Sequence, residues 1–187
     1  IARLQQREEC GGLRGEAGHD SGPGAETLRS LKLETQTEGC VADARTATLY
    51  VGEETCGIWA FDARPDGPAQ GCLVAPVDGQ HLVADVEGLA IWPQSRRGGW
   101  LVASSQGDSA FALYRLPGME PAGRFRVAGG SIGSVEETDG IEIAPGNFGK
   151  DYPSGLFIAQ DGVNAPAAQN FKLVSWLGLY NTLTALV

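Results

Sequence analysis

Apolar residues along this chain fall in short runs, such as Leu49-Tyr50-Val51, Ile58-Trp59-Ala60-Phe61, Leu101-Val102-Ala103 and Phe111-Ala112-Leu113-Tyr114, parted by Gly, Asp and Pro. Short runs rich in aromatic and β-branched residues, bounded by turn formers, predict many short strands joined by tight turns. Residues 1–26 (IARLQQREECGGLRGEAGHDSGPGAE) show neither sustained alternation nor helical periodicity. They are expected to be an irregular or disordered lead, outside the folded part at 27–187.

From Leu28 onward the chain repeats itself. Residues 37–65, 86–116 and 138–176 each open on an acid followed by glycine: Glu38-Gly39, Glu87-Gly88 and Asp139-Gly140. A short apolar strand follows, then a polar turn, then a second strand closing on Glu54, Gln106 or Asp161, then a third strand. The blocks GCLVAPV (71–77) and GRFRVAG (123–129) give the first two units a fourth strand. A period of about 50 residues suits the four-stranded blades of a β-propeller. The fold class expected is therefore all-β, with about three four-stranded blades at 35–80, 81–130 and 131–180. A closed ring takes at least about four blades, so these three form part of one.

Blade geometry makes the acids interesting. The first strand of a blade runs along the central channel and the second returns antiparallel beside it. An acid opening strand one and an acid or amide closing strand two then share one end. The pairs are Glu38 with Glu54, Glu87 with Gln106, and Asp139 with Asp161; Asp85 lies two residues before Glu87, on the same side by strand period. Carboxylates gathered at one mouth repel unless a cation neutralises them. A donor set of oxygens without Cys or His suits a hard ion, and a flexible carboxylate-rich site suits Ca²⁺ better than Mg²⁺.

Composition narrows the partners. The 187 residues are 42% hydrophobic, enough for a core, and carry a net charge of −9. That charge argues against nucleic acid, whose binding rests on Lys and Arg neutralising phosphates. No apolar run reaches membrane-spanning length, and the first residues lack the apolar stretch of a secretory signal, so the chain is either a mature form or lacks its true start. The cysteines, Cys10, Cys40, Cys56 and Cys72, are too widely spaced for a CxxC metal site and leave disulfides and buried thiols both open. GGSIG (129–133) matches a nucleophile elbow in form, but His19 and His81 both precede Ser131, so it reads as an inter-blade turn. His81 reads as a hydrogen-bonded structural histidine, and Trp59, Trp92, Trp100 and Trp176 as blade packing.

The motifs TEGCVAD (37–43), LYVGEE (49–54), GIWAFDARPDG (57–67), DGQHLVADVEGL (78–89), LVASSQGDSAFALY (101–114), TDGIEI (138–143), GLFIAQDG (155–162) and QNFKLVSW (169–176) together resemble the β-propeller phytases. The resemblance runs from about Leu28 to Trp176. It implies a six-bladed, secreted or periplasmic propeller, monomeric when full length, that holds several Ca²⁺ ions. Such an enzyme releases phosphate from the calcium complex of myo-inositol hexakisphosphate, at a cleavage site beside a second phosphate site. Carried over motif by motif, the catalytic, calcium- and phosphate-binding set would be Glu38, Glu54, Asp85, Glu87 and Gln106, with Asp139 and Asp161 as further metal ligands. Two departures stand out: GSVEETDG (133–140) has fewer aspartates than the family's run there, and Ser175 precedes Trp176 where the family has proline. The phosphate-gripping cations of the family come mostly from its N-terminal blades, and lysines are scarce here. The alternative reading is a non-catalytic calcium-binding propeller segment or a decayed phytase copy.

Overall fold

A computed structural model describes residues 2–5, 9–18 and 21–184. Four antiparallel sheets follow one another along the chain. The first holds β1 (Ala2–Gln5), β2 (Glu9–Gly18) and β3 (Ser21–Lys32). The second holds β4 (Thr37–Asp43), β5 (Thr48–Glu53), β6 (Gly57–Asp62) and β7 (Cys72–Pro76). The third holds β8 (Val86–Gln94), β9 (Gly98–Ser105), β10 (Ala110–Leu116) and β11 (Glu120–Phe125). The last comprises β12 (Ile141–Ala144), β13 (Leu156–Asp161) and β14 (Asn170–Ser175), and helix α1 (Trp176–Thr184) follows it. Within each sheet the strands neighbour one another in chain order, the meander of a propeller blade.

The second and third sheets run from Thr37 to Pro76 and from Val86 to Phe125, and the fourth strand of the third, expected at 123–129, is Glu120–Phe125. The last sheet has three strands among the described residues, and the chain turns into a helix where a fourth strand would begin. The larger difference is at the start, where 1–26 was expected to be irregular. Residues 2–5, 9–18 and 21–32 pair as a sheet instead, and the boundary at 26/27 falls inside β3. The reason is compositional: β2 (ECGGLRGEAG) carries glycine on both of its faces, so its ladder leaves no alternation of apolar and polar side chains to read.

Both faces of the third sheet are covered. Along β9, Leu101 and Ala103 enter one core with Tyr50, Ile58 and Ala75 of the second sheet, while Trp100 and Val102 enter another with Ile143, Phe157 and Ala159 of the last. β10 divides the same way, Ala112, Tyr114 and Leu116 on one side and Phe111 and Leu113 on the other. That is why such strands read as unbroken apolar runs rather than alternating ones. The tryptophans pack as expected: Trp92 stacks on Trp176 at 4.9 Å, Arg115 lies 4.6 Å over the Trp100 ring, and Trp59 Nε1 donates to Glu53. His81 Nδ1 lies 2.6 Å from Asp78 Oδ2, Ser131 sits in an exposed turn, and Cys56 and Cys72 are free thiols. Among the described residues no helix is long and apolar enough to cross a membrane.

Candidate functional site

The acid–glycine pairs prove to be a structural device. In β4 the register slips between Thr37 and Cys40, and in β8 between Val86 and Leu89, so Glu38-Gly39 and Glu87-Gly88 sit in equivalent β-bulges. A bulge leaves residues unpaired and re-aims a side chain. The glycines allow the innermost strands of successive sheets to touch. A Cβ on Gly39 would lie 2.2 Å from the Glu87 carbonyl oxygen, and one on Gly88 would lie 2.6 Å from that of Asp139. Gly88 N also donates to Asp139 O at 2.7 Å, which ties β8 to the entry of β12.

These bulges, together with the end of β5, bring three acids to one place. Each of Glu38, Glu54 and Glu87 offers a carboxylate oxygen, and the three oxygens lie within 4.8 Å of one another. Among the described residues none of the three has a salt-bridge partner. Glu87 is 6% exposed. Burial first, then the charges of Glu38, Asp139, Glu54 and Asp85, push its carboxyl up to about 7. Glu54 is raised too, by burial and by Asp85 and Glu38. Asp85 and Asp139 thus act on the cluster electrostatically, and Gln106 borders it by donating from Nε2 to Asp139 Oδ1 at 2.6 Å.

Asp161 goes elsewhere. Its Oδ2 accepts from Lys172 Nζ at 2.7 Å and its Oδ1 from the Glu136 backbone N–H at 3.2 Å, in a buried pair. The reason is a register one residue away from the expected alignment. Glu54 N donates to Gln36 O and Gln106 N to Asp85 O; in the last sheet the matching bond is made by Gly162, to Glu136 O. Gly162 is therefore the counterpart of Glu54 and Gln106, and Asp161 the counterpart of Glu53 and Ser105. One step along a strand turns a side chain to the other face.

That other face carries a latch repeated in three sheets. Glu53 Oε1 accepts from the backbone of Glu34 and Thr35, Ser105 Oγ from the backbone of Val83, and Asp161 from that of Glu136, so each strand end grips the segment entering its own sheet. Burial alone would raise Glu53 and Asp161. Hydrogen bonds from Thr35 and Trp59 to the one, and from Lys172 to the other, outweigh it and hold both carboxyls below their ordinary values.

Two amides at the site were not singled out from the sequence. Gln36 Nε2 donates to Oε1 of Glu38 and lies 3.5 Å from Oε1 of Glu54. Gln160 Oε1 accepts from Asp139 N at 2.8 Å. Gln36 stands two residues before Glu38, as Asp85 stands before Glu87, so the alternation that selects Asp85 selects Gln36 as well.

Comparison with known proteins bears on the family of the chain. The family model described as Phytase matches residues 17–185. The 3-phytase of Bacillus subtilis (strain 168) is 42% identical over 166 residues, which cover 84% of this chain and 44% of that protein. The chain thus spans less than half the length of this relative. With bladed sheets, acids converging at one end of them and a family match over most of its length, the chain belongs to the phytase family.

Proposed function

We propose that this chain forms the calcium-holding acidic wall of a phytase that hydrolyses phosphate monoesters of myo-inositol hexakisphosphate. The observation that carries the reading is the approach of the Glu38, Glu54 and Glu87 carboxylate oxygens to within 4.8 Å of one another, with no salt-bridge partner for any of them among the described residues. Three carboxylates so placed, one of them buried, favour a bound hard cation, and an all-oxygen set of mixed exposure fits Ca²⁺. Glu38, Glu54 and Glu87 would hold the ion, with Asp85 and Asp139 adding negative charge and the Gln106 amide fixing Asp139. Calcium bound there supplies positive charge for substrate phosphate oxygens and for polarising water. The protein's own part is to fix the carboxylates on rigid strand ends before any ion arrives, so that little rearrangement is needed on binding. In the overall reaction water adds to phosphorus, the P–O bond to the inositol oxygen breaks, and that oxygen takes a proton.

The cations near the strand ends are already committed: Arg124 and Arg126 to Asp108, and Lys172 to Asp161. Gripping a polyphosphate therefore calls for Lys and Arg beyond these. On this reading the substrate is a small molecule, met as its calcium complex, and the setting is outside the cytoplasm.

The test is phosphate release from sodium phytate, with and without calcium, by this chain alone and by this chain joined to the N-terminal part of the Bacillus subtilis relative. The joined protein should release phosphate only with calcium and lose at least tenfold on Glu87→Gln, while the chain alone should show little release. Calcium-independent release, or full activity of the Glu87→Gln form, would contradict the proposal.

A further inference from the structure

We infer that Gln36 is a positioning residue, whose amide bridges Glu38 and Glu54 and holds their carboxylates in the arrangement that receives a divalent cation. The inference rests on reading the acid cluster as a cation site, and adds a neutral member to it. Gln36 is exposed and precedes the bulge of β4. Its side-chain Nε2 makes a short hydrogen bond to Glu38 Oε1 and a longer 3.5 Å contact with Glu54 Oε1, while its backbone oxygen accepts from Glu54 N at 3.0 Å. One residue thus links strand one to the end of strand two through both main chain and side chain.

In the next sheet the same backbone position is held by Asp85, whose oxygen accepts from Gln106 N at 2.9 Å. There the side chain adds a like charge to the cluster. An amide at position 36 does the opposite. It offers N–H groups to two carboxylates that would otherwise push apart, without bringing a full charge that competes with a cation. Partners that orient metal ligands typically change affinity by about 10–100-fold when removed.

Gln36→Met keeps the length of the side chain and removes both donors, and exposure of position 36 leaves the core untouched. Two measurements on the chain decide the matter. In chelator, the side-chain amide signals of Gln36 in a nitrogen–proton NMR spectrum should shift on Glu38→Ala and less on Glu54→Ala. In a calcium titration, Gln36→Met should bind about tenfold more weakly than the unchanged chain, with its melting point in chelator nearly preserved. Amide signals indifferent to Glu38→Ala, or calcium binding by Gln36→Met as tight as in the unchanged chain, would overturn the inference. Failure of the unchanged chain to bind calcium would instead overturn the cation reading, and the amide signals alone would then decide whether the bridge exists.

Discussion

Glu87 is where burial and like charge meet, and its behaviour can be worked out with its sign. The folded carboxyl keeps its proton up to about pH 7, against an ordinary value of 4.5. Between those values the folded state binds more protons than the unfolded one, so stability of the metal-free chain falls as pH rises from about 4.5 to 7 and levels off above. Glu87→Gln removes that cost. In chelator at pH 8 it should stabilise the chain by about 1–3 kcal/mol, an effect that denaturant titrations at pH 5 and pH 8 would reveal as a difference between the two. Asp161 calls for the opposite expectation. Asp161→Ala leaves the buried Lys172 ammonium without a counter-charge, held only by the neutral Asn170 and Asn164 amides, which should cost about 3–5 kcal/mol while calcium affinity measured below the melting point stays the same. A large loss of calcium binding would put Asp161 back among the ligands. The acids of the cluster were legible in the sequence because each is tied to a motif at a fixed phase of the repeat. Asp161 was not, because the repeat alone does not fix a strand end to one residue, and one residue decides between acid cluster and latch.

Among the elements, the bulged inner strands fix the site. Gly39 and Gly88 lie where β4, β8 and the entry of β12 come into backbone contact, and a methyl group on Gly39 would meet the Glu87 carbonyl oxygen. Gly39→Ala should therefore destabilise by about 1–3 kcal/mol through overpacking, and because the strand carrying Glu87 must move, it should also weaken calcium binding. A calorimetric melt together with a calcium titration checks both. If stability falls and affinity does not, the glycine serves packing alone. Acid–glycine in phase with the repeat marks the site in the sequence, whereas the bulge exists only once β4 and β5 pair. The four-stranded sheets were legible for a physical reason: apolar runs in β9 and β10 supply two cores at once. β1–β3 were not, since a strand as glycine-rich as β2 has no faces to alternate.

At the scale of the whole molecule, the sheets stand side by side through shared cores, and Arg45 adds a link away from the acids. Its guanidinium pairs with Asp43 and donates to Gly98 O at 2.7 Å, joining the β4–β5 turn to the β8–β9 turn of the next sheet. Glu38 and Glu54 come from the second sheet and Glu87 from the third, so an ion bound by all three ties two sheets together and must couple to their association. A ligand that binds only the folded state adds about 2.7 kcal/mol at 100 times its dissociation constant, and for a domain of this size each kcal/mol moves the melting point by about 2–4 °C. The most direct test of the calcium reading is a pair of thermal melts of this chain at pH 7.5, one in chelator and one in saturating calcium, repeated for Glu87→Gln. The account predicts a rise of about 5–10 °C with calcium that Glu87→Gln largely abolishes. An unchanged melting point on adding calcium to the unaltered chain, or an equal rise in both proteins, would contradict it.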